Sequence, residues 1–282
     1  MSIPKIIHQT APTNKDDWHP LWFKCTQSWN DNYIDFEHRM WNDQEIDYLV
    51  KEHYPKYWEM YNSFPVHIMK IDFVRFCFLH RFGGIYADMD MFCYKNFYNE
   101  LNKDNYLLEN PMGNDSIENS MMVSVAGHPF WIECMDLALE RYEYTEKKDP
   151  IFLNNVKVVS TNKQFGKILR PYLVFFITGT NLISTAFRKT KLDISTLAGI
   201  YYNNNDMSYH PDYRTKHIHT GLWGEESIVI TDKHNELRNV PIEMFDFYTD
   251  YTCGNYLKEN VLDIDKNDCY GQLTVDTEYE YK

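Results

Sequence analysis

Hydrophobic positions fall into short blocks whose spacing changes along the chain. Ile3 to His8 reads as a buried strand, and Leu21 to Trp29 as a helix. Phe36 to Trp41 alternates as a second strand, after which Asp43 caps a helix whose Ile46, Leu49 and Val50 recur at helical spacing. The clearest helix runs from Val66 to Phe82 and turns Ile68, Ile71, Phe78 and Leu79 toward a core. Gly83-Gly84 ends it by supplying backbone freedom that other residues lack. Ile85-Tyr86-Ala87 follows as a strand and runs into Asp88-Met89-Asp90. Tyr106 to Glu109 and Met121 to Val125 have strand character, and Pro129 opens a helix through Arg141. Strand and helix alternate to about residue 190, which predicts an α/β domain around a mostly parallel sheet, with ligands beyond the carboxyl ends of its strands. From Val240 the chain is acidic, Tyr-rich and weakly periodic. The organisation expected is therefore one domain over 1–240 and an extension over 241–282.

Composition narrows the possible partners. With 44% hydrophobic and 24% charged residues, the chain has the makings of an ordinary core, so a disordered reading is excluded. The 28 basic against 41 acidic residues leave a formal charge of −13, which argues against nucleic acid or an anionic membrane as partner. A phosphate ligand would have to arrive through a cation. The 22 tyrosines suit stacking on sugars and bases, and equally a Tyr-rich core and surface. Cys25, Cys77, Cys93, Cys134, Cys253 and Cys269 are scattered without C-x-x-C pairs, which predicts free thiols. With no leader-like start and no apolar run approaching the ~18 residues of a membrane span, the expectation is a soluble, cytoplasmic protein.

The chemistry concentrates near residue 90. Residues two apart in an extended segment point the same way, so Asp88 and Asp90 present two carboxylates to one side. Oxygen ligands of this kind suit Mn²⁺ or Mg²⁺ and leave coordination positions for water and a substrate's phosphates. Asp263-Ile264-Asp265 repeats the pattern in the acidic tail, where a solvated loop explains it. Asp72 and Arg75 lie three apart on one helical face, among Ile71, Phe73, Val74, Phe76 and Phe78. Charges in so apolar a segment require a ligand or each other. His217-Ile218-His219 resembles half of a zinc site without a third ligand at suitable spacing, and Trp18, Trp22 and Trp29 fit a core better than a stacking platform.

Together, Asp72-x-x-Arg75, Gly83-Gly84-Ile85-Tyr86-Ala87-Asp88-Met89-Asp90 and the opening Ile3-Pro4-Lys5-Ile6-Ile7-His8-Gln9-Thr10 resemble glycosyltransferase family 32. That family includes initiating mannosyltransferases of fungal N-glycan elongation and capsular-polysaccharide sugar transferases, and its core is similar to that of large glucosylating toxins. Asn119 with His128-Pro129, and His219-Thr220-Gly221-Leu222-Trp223, look like later family segments in the expected order. The resemblance covers roughly residues 3–224. It implies a GT-A fold with a Rossmann-like sheet, and retaining, metal-dependent transfer from a nucleotide-diphosphate donor to a glycan or protein-linked hydroxyl. UDP-sugars come first as donor and GDP-mannose second.

The same resemblance implies a catalytic set of Asp72, Arg75, Asp88, Asp90 and Asn119. Asp90 looks like the direct metal ligand, Asp88 like a contact to ribose or to the metal through water, and His219 like a late metal or phosphate ligand. Asp72 and Arg75, with Tyr86 beside them, resemble the residues that hold the donor sugar and diphosphate. His8, Gln9 and Thr10 lie where the family's first strand meets the nucleoside, although His8 fits a satisfied strand-end histidine equally well. Trp223 resembles the ring that covers the donor. Leu222 replaces the family's usual Ser, and Thr180 stands where many members have Pro on the acceptor side. Glu109 and Asn119 are the polar residues on strands near enough to act as a nucleophile. Neither is compelling, so acceptor entry on the face that the nucleotide leaves is preferred. A haloacid-dehalogenase-like phosphohydrolase is the first rival, but Phe92 stands where its motif needs Thr or Val. A non-catalytic sugar-nucleotide binder is the second, separable only by acceptor-dependent release of nucleotide.

Overall fold

A computed structural model of the chain describes residues 2–64, 66–109, 117–148, 174–201 and 213–218. Its first strand, β1 (Ile6–Thr10), starts later than the apolar run suggests, past Pro4, which has no N–H to give a ladder. Helix α1 (Pro20–Asn32) leads to β2 (Glu37–Trp41) and then α2 (Asp43–His53). The cap of α2 is Asn42, not Asp43. Asn42 Oδ1 accepts the Glu45 N–H at 3.1 Å and Glu45 accepts the Asn42 N–H at 2.9 Å, a reciprocal capping box. Asp43 instead sits in the first turn, where the helix dipole favours a carboxylate.

Short α3 (Trp58–Ser63) precedes α4 (His67–Phe82), in which every residue from Asp72 to Leu79 is buried. A segment enclosed on all sides leaves no solvent face for the two charges it carries, Asp72 and Arg75. Gly83 and Gly84, at φ +64° and +99°, turn the chain directly into β3 (Gly84–Ala87). A Cβ on Gly84 would lie 2.4 Å from the Ile6 carbonyl oxygen, so the close approach of β3 to β1 requires glycine. Beyond β4 (Met91–Cys93) come β5 (Asn105–Glu109), β6 (Ile117–Ser124), α5 (Phe130–Lys148), α6 (Thr180–Lys189), β7 (Ser195–Leu197) and β8 (Thr215–His217).

The main sheet has the order β2-β1-β3-β6-β5-β7. Parallel pairing of β1 with β2 and β3, and of β5 with β7, together with antiparallel pairing of β6 to β3 and β5, leaves β6 alone running against the other five. This is the mostly parallel α/β layout that the alternation predicts. Its two faces feed two cores. Ile7, Ile85 and Val123 pack with Trp29, Tyr33 and Phe97 on the α1 side, whereas Tyr86, Leu107 and Met122 face α4, α5 and α6. A second, two-stranded sheet pairs β4 with β8 antiparallel. Cys25, Cys77, Cys93 and Cys134 are buried free thiols. Among the described residues no helix is long and apolar enough to cross a membrane. His219, Leu222, Trp223, Cys253, Cys269, the Asp263–Asp265 repeat and the 241–282 extension lie outside the described residues.

Candidate active site

Both carboxylates of interest sit on the turn that joins the two sheets. The Asp88 N–H donates to the Ser120 carbonyl on β6 at 2.8 Å, and the Met91 N–H closes the turn on Asp88 O at 3.0 Å. From one side α1 grips β4 with polar side chains. Trp29 Nε1 donates to Met91 O at 2.8 Å, Ser28 Oγ accepts the Cys93 N–H at 2.9 Å, and Asn32 Nδ2 donates to Cys93 O at 3.1 Å. On the other side, β8 places His217 opposite Met91, and the Ile218 N–H donates to Asp90 O at 2.9 Å. His217 Nε2 thereby comes to 3.2 Å from Asp90 Oδ1, and one ligand atom each from Asp88, Asp90 and His217 lie within 4.8 Å of one another.

Arg75 organises the deeper half of the site. Its Nη1 lies 3.0 Å from Asp72 Oδ1 and donates to Asn119 O at 3.0 Å, while Nη2 lies 3.0 Å from Asp88 Oδ1. The guanidinium also stands 4.9 Å from the centre of the Tyr86 ring. Tyr86 donates its hydroxyl to the same Asp88 oxygen at 2.6 Å, and Asn119 Nδ2 donates to Asp72 Oδ1 at 3.0 Å. The sequence left Asp72 and Arg75 with a choice between a ligand and each other. In the fold they satisfy each other and share the guanidinium with Asp88.

Electrostatics here are dominated by burial. It pushes the Asp72 carboxyl up to about 6 against the opposing pull of Arg75. Asp88 is likewise raised by burial, opposed by Arg75 and reinforced by Asp90. Burial lowers the His217 imidazole, but its hydrogen bond to Asp90 and the charges of Asp90, Asp88 and Glu118 outweigh this and raise it. Four carboxyl groups, Asp72, Asp88, Asp90 and Glu118, thus face one guanidinium and one imidazole. Two carboxylates and an imidazole within this span are a donor set that fits Mn²⁺ or Mg²⁺, and the surplus of negative charge favours a cation.

Other sequence-predicted residues fall in different places. His8 is fully buried. Its Nε2 hydrogen-bonds Gly83 O at 2.8 Å, its Nδ1 accepts from Trp41 Nε1 at 3.1 Å, and its ring stacks on Phe78 at 5.4 Å. With both nitrogens engaged, the satisfied-histidine reading is the one the fold adopts. Tyr86 is also fully buried, with its hydroxyl on Asp88 and its ring beside Arg75. Gln9 reaches Asp88 O with its amide at 3.4 Å, and the Thr10 hydroxyl hydrogen-bonds Tyr86. Asn119 is spent on Asp72. Glu109 is exposed and accepts the Thr196 hydroxyl at 2.6 Å, at the far edge of the sheet.

Two groups escaped sequence reasoning. His217, which the sequence offers as half of a zinc pair, is brought to the acidic turn by β8. Glu118 owes its position to an irregularity of pairing. The β5–β6 register jumps between Leu107 opposite Met122 and Leu108 opposite Glu118. Asn119 turns toward Asp72, while Glu118 enters the electrostatic field of Asp88 and His217, its carboxyl raised by burial. Irregularities of this kind re-aim side chains beside active sites.

Next to this centre a cleft of about 410 Å³ opens on the α1 side of β1 and β2, lined among others by Gln9, Lys15, Trp18, Phe23, Arg39 and Asn42. Gln9 links it to the acidic turn. Trp18 and Phe23 contribute a tilted ring pair at 5.2 Å, so Trp18 belongs to a cleft wall, whereas Trp29 is core as expected.

Residues 20–108 match the family model described as a glycosyltransferase sugar-binding region containing the DXD motif. The chain is 33% identical over 133 residues to inositol phosphoceramide mannosyltransferase 3 of Schizosaccharomyces pombe, covering 47% of this chain and 36% of that protein. Over 92 residues it is 33% identical to the initiation-specific alpha-1,6-mannosyltransferase of Candida albicans, covering 31% and 24%. The chain therefore spans between about a quarter and a half of the length of the curated relatives it matches. Among solved structures, the ligand-free glycosyltransferase domain of the YGT toxin aligns over 70% of this chain and 80% of its own, at 11% identity and a TM-score of 0.46.

Proposed function

Because the chain belongs to the DXD-motif glycosyltransferase family, whose sugar-binding region it carries at residues 20–108, we propose that it transfers a sugar from a nucleotide-diphosphate donor to a hydroxyl acceptor. The observation that carries this reading is the convergence of Asp88, Asp90 and His217 beside the Arg75–Asp72 pair. A divalent ion held by those three residues would neutralise the charge that the diphosphate acquires as the bond to the sugar breaks. Relatives named as mannosyltransferases favour mannose as the transferred sugar. That moves GDP-mannose ahead of the UDP-sugars expected from sequence. The same names support a glycan or glycolipid hydroxyl as acceptor.

The residues divide the work by depth. Arg75, locked between Asp72 and Asp88, holds a fixed positive charge facing the diphosphate side of the turn, so no reorganisation is needed when negative charge develops. Gln9 and the cleft beside it receive the nucleoside, with the Trp18 and Phe23 rings available for stacking. Stereochemistry is retained if the acceptor hydroxyl approaches on the face that the diphosphate leaves and gives its proton to the departing phosphate oxygen. The engagement of Asn119 with Asp72 and of Glu109 with Thr196 favours this route over a protein nucleophile.

The test is donor hydrolysis and transfer with Mn²⁺ across a panel of nucleotide sugars, beside an Asp90→Asn variant. Turnover with GDP-mannose and a loss of at least about 100-fold in the variant are expected. Metal-independent turnover, or wild-type rates in Asp90→Asn, would reject the site.

A further inference from the structure

β8 has three residues and, among the described residues, pairs with the three-residue β4, a ladder too short to hold its own register. Register is what decides the site. A slip by one residue turns every side chain to the opposite face, and Lys216 or Ile218 would then stand where His217 meets Asp90.

The contacts that fix the register lie behind the strand. Glu100 closes the 3-10 turn Tyr98–Glu100, and both of its oxygens are committed. Oε1 accepts Arg214 Nε at 2.9 Å, and Oε2 accepts the Tyr201 hydroxyl at 2.7 Å. Arg214 is the residue immediately before β8, and its carbonyl accepts the Tyr94 N–H at 2.8 Å just beyond β4. Thr215, fully buried, donates its hydroxyl to the Tyr201 carbonyl. Tyr201 in turn packs edge-on to the core residue Phe97 at 5.9 Å. One carboxylate therefore ties the start of β8 to a ring anchored in the α1-side core.

The geometry points to Glu100 as a positioning residue: through Arg214 and Tyr201 it fixes β8 in the register that sets His217 against Asp90. The inference rests on the reading that Asp88, Asp90 and His217 hold a divalent ion. Nothing in the sequence near Glu100 announces the role, since its two partners arrive about 100 residues later.

The experiment titrates Mn²⁺, without donor, into wild type, Glu100→Ala, His217→Ala and the double variant, and records the His217 imidazole resonances of the metal-free proteins. Glu100→Ala should weaken Mn²⁺ binding about tenfold, as loss of an outer-shell partner does, and shift the His217 signals. The double variant should bind no more weakly than His217→Ala alone, because both changes remove one interaction. Additive losses, or unchanged Mn²⁺ affinity with unmoved His217 signals, would overturn the inference. If wild type binds no Mn²⁺, the ion site fails, and the His217 resonances in Glu100→Ala still decide the positioning role. Should Glu100→Ala not fold, Tyr201→Phe removes a single hydroxyl and serves the same cycle.

Discussion

Arg75 is the residue on which the site turns. Two carboxylates and a backbone carbonyl depend on one guanidinium in a buried setting, so truncation leaves Asp72 and Asp88 without their counter-charge. Removing one partner of a buried pair costs about 3–5 kcal/mol. Arg75→Ala should therefore lower the chemical-denaturation midpoint markedly as well as weaken donor binding in calorimetry. A variant of wild-type stability would mean that the pair is more solvated than its burial implies. His8 makes a different prediction, concerning pH. Burial lowers its imidazole to about 4, against about 6.5 in an unfolded chain, so the unfolded state binds the extra proton. The stabilisation is complete above pH 6.5 and is lost as pH falls toward 4, up to about 3 kcal/mol. Denaturation of wild type and His8→Gln at pH 7 and pH 4.5 measures this, and the variant should show the smaller pH dependence.

At the level of elements, the junction between α4 and β3 is the most constrained. Gly84→Ala would drive a Cβ against the Ile6 carbonyl in a backbone conformation that L-residues avoid, and should cost about 2 kcal/mol or more in a thermal or urea melt. This junction was legible in the sequence because a long apolar period, two glycines and a β-branched strand are all local signals. The acidic turn was legible for the same reason, since two carboxylates two residues apart need no knowledge of the rest of the fold. What stayed hidden was nonlocal. Asn42 and Asp43 are equally good caps by type, and only the reciprocal bond with Glu45 decides between them. Strand β6 was begun at Met121 instead of Ile117 because its polar stretch Glu118-Asn119-Ser120 breaks the strand pattern. Of these, Asn119 reaches Asp72 and Glu118 lies in the field of Asp88 and His217. The role of His217 is hidden because its partner Asp90 lies 127 residues earlier, and no spacing rule links them.

For the whole molecule, the charge of −13 sets the long-range field. A nucleotide diphosphate approaches against repulsion unless a cation intervenes. Chelating the metal should therefore reduce donor affinity at least about tenfold, and raising ionic strength from about 0.01 to 0.15 M in the chelated protein should recover part of the loss by screening. Calorimetry with a nucleotide sugar at both salt levels tests this, and affinity indifferent to the chelator would remove the ion from binding. The architecture separates stability from activity. Both cores are assembled around the six-stranded sheet, whose last strand ends at Leu197, whereas the imidazole reaches the acidic turn only at residue 217. During vectorial synthesis on the ribosome, the nascent polypeptide can complete its sheet before its ion-holding centre exists. A product released prematurely in that interval would lack the imidazole, because the twenty residues after the final strand of the sheet carry the ligand that finishes the centre.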